Sequence, residues 1–181
     1  TPDKLTTFPQ SVKHKAGASE REKMYIDAAD AYFKADKNKK KERNEAYTKA
    51  LEKLLYKYPD DVEAKAFFAL QLWKQRDEGP AINSYLAINA LQDQVFQANP
   101  MHPAHHYRIH LWDAERADSA LGSAALCGQT SPGIAHMWHM PGHIYSKTQR
   151  YENAYWQQEA SARAHQHHTP RNTAMRRSPL K

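Results

Sequence analysis

Apolar residues recur at spacings of three and four along most of the chain, the period of helices that bury one face. Ser19-Glu20-Arg21-Glu22 has the form of a capping box, with Glu22 three residues after the serine. Behind it Met24, Ile26, Ala28, Ala29, Tyr32 and Phe33 predict a helix to about Ala35. A Lys-rich stretch, 36–41, leads into a second helix, about 42–58, carried by Tyr47, Leu51, Leu54 and Leu55 and stopped by Pro59. Asp60, with Glu63 three residues on, reads as the next start, and Ala64, Phe67, Phe68, Ala69, Leu72 and Trp73 as that helix's packing face. Glu78-Gly79-Pro80 breaks the chain, and Pro80 suits the first turn of a helix over about 80–98. Further helices are predicted from near His102-Pro103 to about Ala114, then over 118–129, 135–148 and 151–166. That gives eight helices in antiparallel pairs and no strand. Residues 1–18 read as an extended lead-in, 19–166 as a helical-repeat domain, and 167–181 as a basic, disordered tail.

The pairs repeat. Leu72, Leu111 and Tyr145 each precede an alanine by nine residues (Ala81, Ala120 and Ala154), Leu72-Trp73 recurs as Leu111-Trp112, and pairs end at Pro59, Pro100 and Pro132. This resembles the tetratricopeptide repeat. Over 135–168, Trp138, Gly142, Tyr145 and Ala154 fall in that family's register, with Pro141 in place of its leucine. The preceding pair matches through Ala104, Tyr107, Leu111, Ala120, Ala124, Cys127 and Pro132, and the pairs 59–100 and 19–59 match more weakly. The resemblance covers about 150 residues. It implies an all-α fold of about four antiparallel helix pairs, stacked as a right-handed TPR-like superhelix, an α-α solenoid with a concave groove. Cys127 then takes a small packing position in the core. Tyr155 and Trp156 lie on a last helix without a capping partner, which predicts a missing repeat or a partner chain.

Charge narrows the partners. Of the net charge of +6, residues 164–181 carry Arg171, Arg176, Arg177 and Lys181 and no acid, and Lys37-Asn38-Lys39-Lys40-Lys41 reads as a solvated loop. No nucleic-acid-binding signature is present, so nucleic acid is not an expected partner. No apolar run approaches the ~20 residues needed to cross a bilayer. A soluble chain is expected, without a signal-peptide pattern and with its compartment open. The opening at Thr1-Pro2 suggests a processed chain or a fragment, and one cysteine excludes an internal disulfide framework.

The candidate chemistry lies in the histidines. On a helix, His136, His139 and His143 fall within about 60° of one another, opposite Trp138 and Tyr145. His102, His106 and His110 form an i, i+4, i+8 row on the preceding first helix. In tetratricopeptide repeats, first helices line the groove, and the resemblance places His136, His139 and His143 at the second, fifth and ninth, ligand-facing positions. His102 and His105 take the second and fifth of the repeat before, although His105 is expected to be merely exposed. Two such rows on neighbouring first helices are placed to converge, and a shared mononuclear site requires the imidazole nitrogens of His106 and His139 within about 8 Å of one another. A transition metal takes neutral imidazole nitrogens at about 2.0–2.1 Å. Met140 and Met101, as thioethers beside imidazoles, favour copper over zinc, with iron a further option. Asp113 and Glu115 supply a carboxylate or an acceptor for an imidazole N–H.

The metal-ligand set read from the sequence is therefore His102, His106, His110, His136, His139 and His143. A metal-free groove binding a protein or peptide is the alternative, and a metal-dependent enzyme a third reading for which no general base, and so no catalytic residue, is assigned. Pro141 inside the helix predicts a kink or a new helix start, and the latter would redirect His143. The strings HPAHHYRIH (102–110) and HMWHMPGHIY (136–145) also resemble a bacterial group of His-rich repeat proteins. These carry H-P-x-x-x-H-x-x-x-H and H-x-x-H-M-P-x-H-x-Y in consecutive repeats. His106 and His110, at their spacing of four, and His136, His139 and His143 match that pattern, His102 stands one residue too close to His106, His105 does not match, and the chain departs from it after about Arg163.

Overall fold

A computed structural model describes residues 12–34, 36, 38–75 and 84–168. Within them the chain is helical, with no strand. Residues 12–14 are helical and run into a 3-10 turn at Lys15–Gly17. From Glu20 on, the α-helices are α1 (Glu20–Lys34), α2 (Lys40–Lys57), α3 (Val62–Lys74), α4 (Tyr85–Ala98), α5 (His105–Trp112), α6 (Leu121–Thr130), α7 (Ala135–Lys147) and α8 (Tyr151–His168), with a 3-10 turn at Ala117–Ala120. They pack in adjacent pairs, and two compact units divide at Pro100. Among the described residues no helix is long and apolar enough to cross a membrane. The break at Glu78-Gly79-Pro80, the lead-in before 12 and the tail beyond 168 lie outside the described residues.

In the first unit α1 packs on α2, α2 on α3, and α3 on α4. Ala28, Leu51, Leu54, Ala64, Ala66, Ala69, Ile88 and Val95 are buried between them. The capping box at Ser19 forms as predicted. Its N–H donates to the Glu22 carboxylate at 2.8 Å, and the Glu22 N–H returns to Ser19 Oγ at 3.3 Å. The start of α3 differs by one residue. Asp61, not Asp60, caps it, accepting from the Ala64 N–H at 3.0 Å. Asp61 also receives the Tyr25 hydroxyl at 2.7 Å and pairs with Arg21 at 3.4 Å, so tertiary partners select it. Burial, then this bond to Asp61, pushes the Tyr25 hydroxyl well above its usual range. The start of α4 is set by Ser84, whose Oγ accepts from the Ala87 N–H at 3.2 Å.

In the second unit α5 packs on α6 and α7, α6 on α7, and α7 on α8. The turn between α7 and α8 is three residues long, so the chain must fold back into an antiparallel pair. Small residues let the backbones approach: Ala104, Ala120, Ala124 and Cys127 are fully buried, and a Cβ on Gly128 would run into the Trp138 ring. Trp138 also donates its indole N–H to the Pro132 carbonyl at 2.9 Å, fastening the turn between pairs. Burial pushes the Cys127 thiol up to about 12, as a packing residue rather than a nucleophile. The helix is continuous through Pro141, itself fully buried. It does not restart there, so the helical spacing of His136, His139 and His143 stands.

Candidate metal centre

Five of the six predicted histidines lie side by side. Ring centroids are 4.6 Å apart for His106 and His110, 4.8 Å for His106 and His136, 6.0 Å for His136 and His139, and 4.8 Å for His139 and His143. Within this run, His106, His110 and His136 each offer a ring nitrogen, and these atoms all lie within 4.8 Å of one another. Successive turns of α5 supply two of them, and the first turn of α7 supplies the third. The first helices of successive pairs run in the same direction. His106 near the start of α5 therefore meets His136 at the start of α7.

Burial disfavours the charged form of His106 and of His136. Burial, with smaller contributions from His110 and His136, lowers His106 from 6.5 to about 4. Burial also lowers His136, followed by His139 and His143. A metal ligand must be neutral imidazole, so the environment already favours the binding form. His106 Nε2 is buried without a hydrogen-bond partner. Such an orphan is costly in a folded protein unless something binds to it.

His139 and His143 form a second arrangement beside this one. Their Nε2 atoms are 2.9 Å apart. Gln158, on α8, holds His139 at two points: its Nε2 donates to the His139 carbonyl at 3.2 Å, and its Oε1 lies 2.8 Å from His139 Nδ1. A carbonyl only accepts, which fixes the amide orientation. His139 Nδ1 therefore carries the hydrogen, its Nε2 holds a lone pair, and His143 Nε2–H donates to it. Asp113 Oδ2 lies 4.0 Å from His143 Nδ1, and Lys147 ties Asp113 to α7 through its carboxylate at 2.9 Å and its carbonyl at 2.6 Å.

The other expected members are placed differently. His102 precedes α5 rather than lying on it. It is buried, and its Nδ1 accepts the Ala104 N–H at 3.0 Å, capping a helix whose own N-cap, an alanine, has no side chain to do so. His105, expected to be exposed, is 4 % exposed and bonded to Ser123 Oγ at 2.9 Å, so it belongs to the α5–α6 packing. Met140 is buried on the packing side of α7 with Met137 and Ile144, Met101 is exposed before α5, and Glu115 is exposed. Gln158, Ser123 and Lys147 were not legible as partners. Gln158 lies nineteen residues after His139 on another helix, and its one trace is Gly142, where a Cβ would meet the Gln158 amide.

The fold is that of a TPR-like helical repeat. Solved structures of MamA, a protein containing tetratricopeptide repeats, share it. MamA MSR-1 in crystal form C2 superposes with a TM-score of 0.56 at 14% identity over 89% of this chain and 95% of that one. MamA AMB-1 in form P212121 superposes at 0.60 and 17% over 91% and 93%. No family model and no curated protein matches the sequence.

Proposed function

We propose that this TPR-like protein binds a first-row transition metal ion through His106, His110 and His136. The observation that carries the reading is the convergence of three ring nitrogens from two helices within 4.8 Å of one another. A tetrahedral ion with bonds of about 2.0–2.1 Å needs nitrogens roughly 3.4 Å apart, within reach of small side-chain rotations. Two facts support it: the orphaned, buried Nε2 of His106, and the depression of His106 to about 4. Three imidazoles suit zinc, copper or iron, and three protein ligands leave a coordination position open. The resemblance to His-rich bacterial repeats, in which these histidines fall on the repeated pattern, points the same way.

The test is metal content. The untagged chain, incubated with copper, zinc or iron salts and desalted, is expected to retain ion that His106→Ala, His110→Ala and His136→Ala each lose, by one equivalent per chain. Wild-type protein that retains none, or variants that retain the wild-type amount, would overturn the reading. A second reading, a protein-interaction module, is compatible with the fold and is favoured by Tyr151, Tyr155 and Trp156, each more than 60 % exposed on α8. Exposed aromatic patches mark contact surfaces.

A further inference from the structure

We infer that His139 and His143 form a second, separate cation subsite, positioned by Gln158 and Asp113, so that the imidazole run holds two ions rather than one. The Gln158 amide donates to the His139 carbonyl, so its oxygen accepts from His139 Nδ1. His139 is thereby locked in the tautomer a metal ligand needs, with a lone pair on Nε2 and a hydrogen-bonded N–H behind it. That lone pair points at His143 Nε2, 2.9 Å away. Two nitrogens bound cis to one ion at about 2.0 Å lie about 2.8 Å apart, so the pair already stands near chelating distance.

The exchange of hydrogen for ion balances. In the free protein the single hydrogen of neutral His143 is on Nε2, bridging to His139. When an ion takes both Nε2 lone pairs, that hydrogen moves to His143 Nδ1, and no net proton is released. Nδ1 faces the Asp113 carboxylate at 4.0 Å, which Lys147 holds in place. The result is a carboxylate–histidine–metal arrangement on one imidazole and an amide–histidine–metal arrangement on the other. The subsite is distinct from the first because the ring nitrogens that converge within 4.8 Å are those of His106, His110 and His136, and His139 and His143 are not among them. Water completes its coordination.

Copper(II) is the probe, because imidazole sites bind it tightly among divalent first-row ions. Bound copper is counted after desalting for wild type, His106→Ala, His139→Ala and the double variant, each checked for helical circular dichroism. Every variant is read as its difference from wild type, so copper held elsewhere, at His165 for instance, cancels. The expected result is one ion lost in each single variant and two in the double. Gln158→Leu weakens only the second ion, by about 10–100-fold, and Gln158→Glu, which keeps the acceptor for His139 Nδ1, recovers most of that loss. A double variant that loses no more than one single variant overturns the second subsite in favour of one shared site. So does a His139→Ala variant that loses nothing. If His106→Ala loses nothing while His139→Ala loses one ion, the second subsite stands and the three-histidine reading falls.

Discussion

His106 joins packing to chemistry in one side chain. Its ring is partly buried against His110 and His136, which costs the charged form hydration and lowers it from 6.5 to about 4. Between those values the unfolded chain binds the proton and the folded chain does not. Metal-free stability is thus fully present above 6.5 and falls as pH drops toward 4. Urea midpoints at pH 7 and pH 5 are expected to differ in this sense for wild type and to differ less for His106→Phe. An equal drop in both proteins would remove His106 as the cause. Residue identity alone gave the histidines as candidates. Helical spacing separated His106 from His105, because adjacent residues on a helix face directions about 100° apart, but it read His105 as exposed, and the position of α6, through Ser123, buries it.

At the scale of elements, the helices were legible and their contacts were not. Periodicity and prolines placed most boundaries within a few residues. Local rules ran out where a distant group decides: Asp61 displaces Asp60 as cap because Tyr25 and Arg21 reach it. The α6–α7 contact depends on Gly128, whose missing side chain makes room for Trp138. Gly128→Val is expected to destabilise the protein by about 1–3 kcal/mol through overpacking, read as a lower urea midpoint. An unchanged midpoint would show that Trp138 moves aside freely. Pro141 breaks a local rule without breaking α7: the helix runs through it, buried against its neighbours.

At the scale of the molecule, the division at Pro100 has a consequence for the site. The helix contacts that position the histidines, α5 with α6 and α7, and α7 with α6 and α8, fall after it. A fragment spanning 101–181 is therefore expected to keep a helical circular dichroism spectrum and the copper that depends on His106. A fragment that is unfolded, or folded without that copper, would show that the first unit is needed to form the site. The TPR-like likeness to MamA covers about nine-tenths of this chain, at identities that carry the fold and no shared ligand.

By itself the sequence determined the all-helical class, the pairing, the repeat that spaces the pairs, and the two strings in which the histidines sit. Those properties follow from short-range periodicity, breakers and turns, which a linear pattern records. The tertiary structure decided which histidines meet. It turned His102 back on its own backbone and buried His105 against Ser123. It joined His106 and His110 to His136 and left His139 and His143 as a pair under Gln158. Such choices depend on the offset between neighbouring helices and on side chains from a third helix, and neither is written in the spacing of residues along one helix.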